Sequence, residues 1–357
     1  MGSRSAFSKM GKRPPKLMVD LNLFLKCPKC HSDNTLENHS QFLKCIKCGS
    51  HYLKNNGVID LINSSLNTQL DTANYDLHYS INNLTKDKSF LDFSSAIGNR
   101  LQKNYFSYLE IGAGTGGFTI GLMKYIRAKN YVITDISSEM LQICKNKIRA
   151  NYPDADANII YATYSGTENI FPKCTYDLSI ISFALHHVLD YKSLISNIYE
   201  SLKIGGSFFA LEPSFHYHKA LCSTFIDVLE WYLAGSERVD QNNDLIYLQN
   251  WIHELLFSIK FHDSSEFLEN REDKHFFEPE KILEVANLLG FTSADAIAYG
   301  GRDAHNLSGF NSYIPQLGLS ESFSKKIRDL YIELNQQYFQ PLKINDRYPC
   351  SIYHLQK

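Results

Sequence analysis

Residues 108–117 read Tyr-Leu-Glu-Ile-Gly-Ala-Gly-Thr-Gly-Gly, and the way this stretch is read decides the fold. A short apolar run gives way to closely spaced glycines, and an amphipathic segment follows. The pattern predicts a strand, a tight turn and the start of a helix. Glycine lets the backbone turn sharply and approach a ligand, and the helix start presents N–H groups that have no intrahelical partner. Taken alone, Gly112-x-Gly114-x-x-Gly117 fits a nicotinamide or flavin dinucleotide fold equally well.

Outward from this turn, short apolar runs alternate with amphipathic stretches, the pattern of a parallel sheet with crossover helices. Strands are expected at 108–112, 131–136, 157–162, 176–183 and 206–213, with helices at Thr119–Lys129, Ser138–Asn151 and Tyr191–Leu202. After Pro213 the alternation breaks into an aromatic-rich helical stretch over 215–270. It then resumes with a helix over 279–291 and a strand over 293–300. A second amphipathic insertion covers 320–339, and CSIYHLQ (350–356) reads as a terminal strand.

The 357 residues are 44% hydrophobic and 21% charged, ordinary for a soluble globular chain. No apolar run approaches the roughly 20 residues of a membrane helix, and the basic N-terminus lacks the apolar segment of a secretory signal. A cytoplasmic protein without a membrane partner is expected. Residues 1–60 hold ten Lys/Arg against four Asp/Glu, which leaves −8 for the rest of the chain. A basic front end suits phosphate contacts, or is a solvated tail.

Eight cysteines fall into two groups. Cys144, Cys174, Cys222 and Cys350 are scattered and read as small apolar residues. Cys27-Pro-Lys-Cys30 and Cys45-Ile-Lys-Cys48 form two Cys-x-x-Cys knuckles separated by fourteen residues. Four thiolates suit a closed structural Zn²⁺ site, with no open position for catalysis.

Beyond the glycines, Glu110 lies two residues before Gly112 and Asp135 ends the second strand. Strand four runs into Ser182-Phe183-Ala184-Leu185-His186-His187-Val188, and Leu202-Lys203-Ile204-Gly205-Gly206 precedes Glu212-Pro213. In combination these motifs resemble the class I S-adenosylmethionine-dependent methyltransferases over roughly residues 105–213. The resemblance implies an α/β, Rossmann-like seven-stranded sheet whose last strand is antiparallel. It implies that Glu110, Gly112, Gly114 and Thr115 surround the methionine half of S-adenosyl-L-methionine. Asp135, Ile136 and Met140 would hold the ribose and adenine, and Ser182 and Phe183 would line the methyl-donor side. The family often has Asp-Ala after strand three. This chain has Ala162-Thr163-Tyr164, so adenine recognition falls to Thr163, Tyr164 or backbone. The cysteine unit with Gly49-Ser50-His51-Tyr52 and Asn56–Leu61 resembles the zinc-ribbon activator of tRNA and protein methyltransferases. It also resembles the ribbon fused to some bacterial rRNA guanine methyltransferases.

The expected organisation is a flexible tail (1–20), a zinc ribbon (21–65), a linker with some helix (66–100) and a methyltransferase domain (101–357) with helical lid insertions at 215–280 and 302–345. Methyl transfer depends mainly on positioning, and a general base helps where the acceptor must lose a proton. His187, Glu212, His216 and His218 are the candidates. The chain lacks the Asn/Asp-Pro-Pro-aromatic motif of base and amide methylation after strand four, and Pro-Cys occurs only at Pro349-Cys350. This favours a small-molecule acceptor; the basic ribbon keeps RNA as an alternative. A non-enzymatic scaffold is disfavoured by the intact glycine turn. The helical stripe Leu221, Phe225, Val228, Leu229 and Tyr232, with its counterpart from Leu248 to Leu256, either walls an acceptor pocket or packs on itself and the sheet.

Overall fold

A computed structural model describes residues 19–62, 93–234, 243–261, 273–300 and 307–357. Most of the expected tail and linker lie outside the described residues, as do 235–242, 262–272 and 301–306 within the insertions.

The central strands are β5 (Asn104–Ile111), β6 (Arg127–Asp135), β7 (Ile159–Thr163), β8 (Tyr176–Ser182) and β9 (Leu202–Pro213), joined by β10 (Ser293–Tyr299) and β11 (Cys350–Gln356). They lie in the order β7-β6-β5-β8-β9-β11-β10. The pairs from β7 to β9 are parallel, and β11 runs antiparallel to both β9 and β10. This is the expected seven-stranded methyltransferase sheet. The apolar runs are buried because a parallel sheet is covered on both faces. Leu109, Val132, Ile160, Ile181 and Phe208 point to one side, and Tyr108, Ile133, Tyr161, Ile180 and Phe209 to the other.

Helix α1 (Gly117–Met123) follows β5, α2 (Ser138–Asn151) follows β6 and α3 (Tyr191–Ser201) follows β8. The helix expected over Thr119–Lys129 is shorter than its amphipathic pattern suggests. Arg127 already pairs with Asn104, and its N–H donates to the Lys103 carbonyl at 2.8 Å. Extending β5 and β6 past the apolar core satisfies these backbone groups, which outweighs the helical pattern of 124–129.

The cysteine unit extends the same sheet. Its strands β1 (Leu36–Asn38), β2 (Phe42–Cys45), β3 (His51–Asn55) and β4 (Val58–Ile59) form an antiparallel meander. Val58 and Ile59 then pair in parallel with Tyr161 and Ala162 of β7. Leu25, Leu43 and Tyr52 share one buried cluster with Leu109 and Tyr176.

Helices α4 (Phe215–Ala234) and α5 (Asn243–Phe261) form the first insertion, and α6 (Pro279–Leu289) returns to the sheet. The second insertion carries α7 (Ser308–Tyr313), α8 (Glu321–Leu334) and α9 (Gln336–Phe339). The apolar stripes close on each other. Leu221, Phe225 and Val228 share a cluster with Leu248, Ile252, Leu255, Ile327 and Tyr331, separate from both sheet clusters. Leu256 is exposed. The stripes therefore build a third core, with Phe225 5.0 Å from Trp251 and 5.2 Å from Tyr331 between ring centres.

The fully buried Tyr176 hydroxyl donates to the Phe24 carbonyl at 2.6 Å, tying β8 to the segment before the first knuckle. Tyr176→Phe leaves that carbonyl without this donor and is expected to cost about 1–3 kcal/mol. Urea unfolding should show one transition at lower midpoint; two transitions would mean that the cysteine unit folds apart from the sheet.

Candidate functional site

The carboxyl ends of β5, β6, β8 and β9 place the expected residues around one edge of the sheet. Gly112, with φ of +72°, turns the chain where a Cβ would lie 2.2 Å from the Ala184 Cβ. No residue with a side chain fits there unless the turn after β8 moves. Asp135 holds the same loop from β6: its carboxylate accepts from Gly114 N at 2.8 Å and Ser137 N at 2.9 Å. Burial pushes the Asp135 pKa up. Ser137 caps α2 by accepting from Met140 N, which leaves Met140 buried and Ile136 exposed beside the loop.

Glu110 is completely buried beneath the glycines. It accepts from Tyr108 Oη and Thr119 Oγ1, each at 2.9 Å. Burial pushes its pKa up to about 7, against the lowering effect of those two hydroxyls. Thr115 is buried, and Lys147 Nζ donates to its hydroxyl at 3.4 Å. A buried carboxylate pair, a glycine turn that excludes side chains, and exposed Ile136 and Phe183 suit a ligand with a cationic end, a diol and an apolar ring. S-adenosylmethionine has these parts, so the residues fit it.

The two side chains expected to meet the adenine are engaged elsewhere. Thr163 Oγ1 accepts from Leu61 N and donates to Asp60 Oδ1, both at 2.9 Å. Tyr164 is buried with its ring 5.0 Å from Phe171. The short parallel strand β4 recruits Thr163, and the apolar core takes Tyr164.

At the end of β8, Ser182 is half-buried, while Phe183 is 46% exposed in the left-handed region at φ +52°. This conformation costs about 1–2 kcal/mol for a residue with a side chain. Glu212, 0% exposed on β9, holds the turn: it accepts from Ala184 N at 3.1 Å and Leu185 N at 2.8 Å. Its other oxygen meets His186 Nδ1 at 2.5 Å. Burial alone would lower the His186 pKa; Glu212 and Asp273 together raise it, to about 9.

Asp273 lies 3.4 Å from both His186 Nε2 and His187 Nδ1. His186 and Asp273 are the site residues that sequence reasoning missed. Of the four acid–base candidates, His187 and Glu212 come together through His186. His216 turns away and faces Glu280 at 3.8 Å. His218 is buried: Nδ1 donates to the Ser214 carbonyl at 2.7 Å, which leaves Nε2 to accept from Tyr313 Oη at 3.0 Å. Its burial lowers the pKa to about 4, and the ring stacks on Phe276.

In the cysteine unit, all four Sγ atoms lie within 4.8 Å of one another. Cys27–Cys48 and Cys30–Cys45 are separated by 3.6 and 3.7 Å. Tetrahedral zinc with bonds of about 2.3 Å requires S–S edges of about 3.8 Å, so the set fits one ion. Burial pushes the Cys27 thiol up to about 12 against the pull of the Tyr52 hydroxyl and its knuckle's backbone N–H groups. At Cys45 burial is outweighed by the Thr35 hydroxyl and backbone N–H groups, which lower the thiol to about 6.

The sequence pattern of the ubiE/COQ5 methyltransferase family matches residues 52–255, more than half of the chain. Among curated relatives, the Wigglesworthia glossinidia brevipalpis ubiquinone/menaquinone biosynthesis C-methyltransferase UbiE is 33% identical over 117 residues, 32% of this chain and 46% of the relative. The demethylmenaquinone methyltransferase of Lactococcus lactis is 26% identical over 152 residues, 42% of this chain and 56% of the relative. The chain thus spans about half the length of these relatives. The solved structure of the YcgJ protein from Bacillus subtilis aligns with a TM-score of 0.45 at 14% identity, over 76% of this chain and 98% of that one. Among the described residues, no helix is long and apolar enough to cross a membrane.

Two outcomes follow from this geometry. Elemental analysis should find about one zinc per chain in the ribbon, lost in the Cys27→Ser, Cys45→Ser double variant; disulfide pairing of these cysteines would refute it. His218 also makes stability pH-dependent. Its pKa is about 4 when folded against about 6.5 when unfolded, so the unfolded chain takes up the proton first. Its contribution is complete above pH 6.5 and is lost as pH falls toward 4. Urea unfolding of His218→Asn across this window should show a shallower acid-side decline than the parent.

Proposed function

We propose, from the premise that the chain belongs to the ubiE/COQ5 methyltransferase family, that it transfers a methyl group from S-adenosylmethionine to a small, largely apolar ring acceptor bearing a hydroxyl. The observation that carries the reading is the turn after β8. There Phe183 is exposed and, four residues on, His187 faces Asp273, giving one apolar and one polar group after the end of β8. Both named curated relatives are quinone methyltransferases, which points to a hydroquinone-like ring. They give the RNA alternative no support.

In this reading Asp135 accepts from the ribose hydroxyls, Glu110 provides negative potential for the methionine end, and Ile136 covers the adenine. Bound there, the cofactor supplies a methyl group on a positively charged sulfur. The turn from Phe183 to His187 orients the acceptor in line with that methyl, and such orientation accounts for much of the rate. The His187–Asp273 pair gives the acceptor hydroxyl a polar partner on this side. Zinc in the ribbon has a structural part only.

Asp135→Ala removes the carboxylate acceptor, and losing a hydrogen bond to a charged group costs about 1.5–3 kcal/mol. S-adenosylhomocysteine affinity, measured by calorimetry, should fall roughly ten- to more than a hundredfold. Unchanged affinity would remove Asp135 from the cofactor site. Radiolabelled methyl transfer with the full chain should label hydroquinone-type acceptors in preference to an RNA pool. Labelling of RNA alone would overturn the acceptor class.

A further inference from the structure

The imidazoles of His186 and His187 and the Asp273 carboxylate converge at the mouth of the site, in an arrangement that ordinary ion pairing explains poorly. Asp273 Oδ1 lies 3.4 Å from His186 Nε2 and 3.4 Å from His187 Nδ1. A charge-assisted N–H···O bond closes to about 2.7–2.9 Å. Looseness of the region does not account for the gap. The opposite face of His186 makes a 2.5 Å contact with Glu212, and Glu212 itself is anchored by two backbone N–H groups. The segment carrying Asp273 is also fixed. Lys274 N and His275 N both donate to the His186 carbonyl, at 2.9 and 3.2 Å. The Asp273 carboxylate oxygen thus sits equidistant from two ring nitrogens, beyond the length of a tight charge-assisted hydrogen bond to either.

We propose that His186, His187 and Asp273 form a second metal site, which takes a divalent transition ion through His186 Nε2, His187 Nδ1 and Asp273 Oδ1. With bonds of about 2.0–2.1 Å to nitrogen and oxygen, ligands around a tetrahedral ion stand about 3.4 Å apart. Both measured edges have that length. The three ligand atoms lie within 4.8 Å of one another. Glu212 completes the arrangement from behind: a carboxylate on Nδ1 fixes the tautomer that leaves Nε2 free to bind a metal, a common second layer around ligating histidines. Two imidazoles and one carboxylate are borderline donors, which select zinc, cobalt or iron over magnesium or calcium. Three protein ligands leave a coordination position for water or an oxygen-bearing ligand, unlike the closed set of four cysteines.

The test uses the full chain with its ribbon already filled with zinc and Co²⁺ as the probe. Cobalt bound by nitrogen and oxygen gives weak visible bands, whereas entry into the ribbon gives intense near-ultraviolet thiolate absorption. One further equivalent with visible bands and no thiolate absorption is expected. Asp273 and His187 are 64% and 40% exposed at their side chains, so Asp273→Asn and His187→Gln should fold. Each should weaken cobalt binding at least tenfold, with ribbon zinc content and thermal unfolding close to the parent. Glu212→Gln should weaken it by about 10- to 100-fold. The proposal is overturned if the parent takes up no cobalt beyond the ribbon, or if Asp273→Asn and His187→Gln bind it as the parent does.

Discussion

The buried carboxylate of Glu212 is the constraint on which the turn after β8 depends. An ion removed from water is tolerated only when its oxygens are fully engaged, and losing one partner of such a group typically costs about 3–5 kcal/mol. Here the partners are the backbone of Ala184 and Leu185 and the ring of His186. By satisfying Glu212, the chain after β8 is pulled into a tight turn, and Phe183 is left with φ of +52°. The same pull brings Ala184 against Gly112, which explains why that position has no side chain. One buried charge therefore accounts for a strained aromatic residue, a required glycine and the placement of two histidines.

A second constraint acts from the opposite edge of the sheet. A parallel sheet that ended at β7 would expose a row of unpaired backbone groups. The ribbon covers that edge with β4, and Asp60 and Leu61 engage Thr163 just past the pairing. On α2, Lys145 Nζ donates to the Asn56 carbonyl at 2.7 Å, a further tie to the ribbon turn. The four-cysteine cluster is thus linked, through two short strands, to the place where Asp135 ends β6. A metal held there would act on that edge of the sheet through the strands alone.

Much of this was legible in the sequence because it rests on local pattern. Apolar runs of strand length, glycines after the first of them and an acidic residue closing the second all survive folding. So does the Cys-x-x-Cys spacing, since two tight knuckles bring four sulfurs together with little help from elsewhere. The features that escaped depend on contacts distant in sequence. Asp273 sits in a charged stretch without periodicity, and it matters only because Lys274 and His275 pair with the carbonyl of His186. Thr163 is one of three options the sequence offers for the adenine contact, and nothing in its neighbourhood announces that the Leu61 N–H claims its hydroxyl. The overlong first helix has the same origin: residues 124–129 are amphipathic, yet Arg127 is taken by the edge of β5.

The segment 273–277 also explains how the helical layer and the site are coupled. Phe277 forms a bridge with Ser214, and Phe215 N donates to the Phe277 carbonyl at 3.0 Å at the start of α4. Four residues earlier in the chain, Asp273 faces the two histidines. Phe276, between them, stacks on His218 with ring centres 4.4 Å apart. The helices have a core of their own, so substitutions within it can be absorbed without disturbing the packing of the sheet. Any shift that reaches this short segment moves the Asp273 carboxylate relative to His186 and His187. Asp135 and Glu110, held by β5, β6 and α1, would stay in place. In the proposed reading the fold separates a cofactor half built on parallel strands from an acceptor half suspended between Glu212 and the 273–277 segment, so the second can shift while the first stays in place.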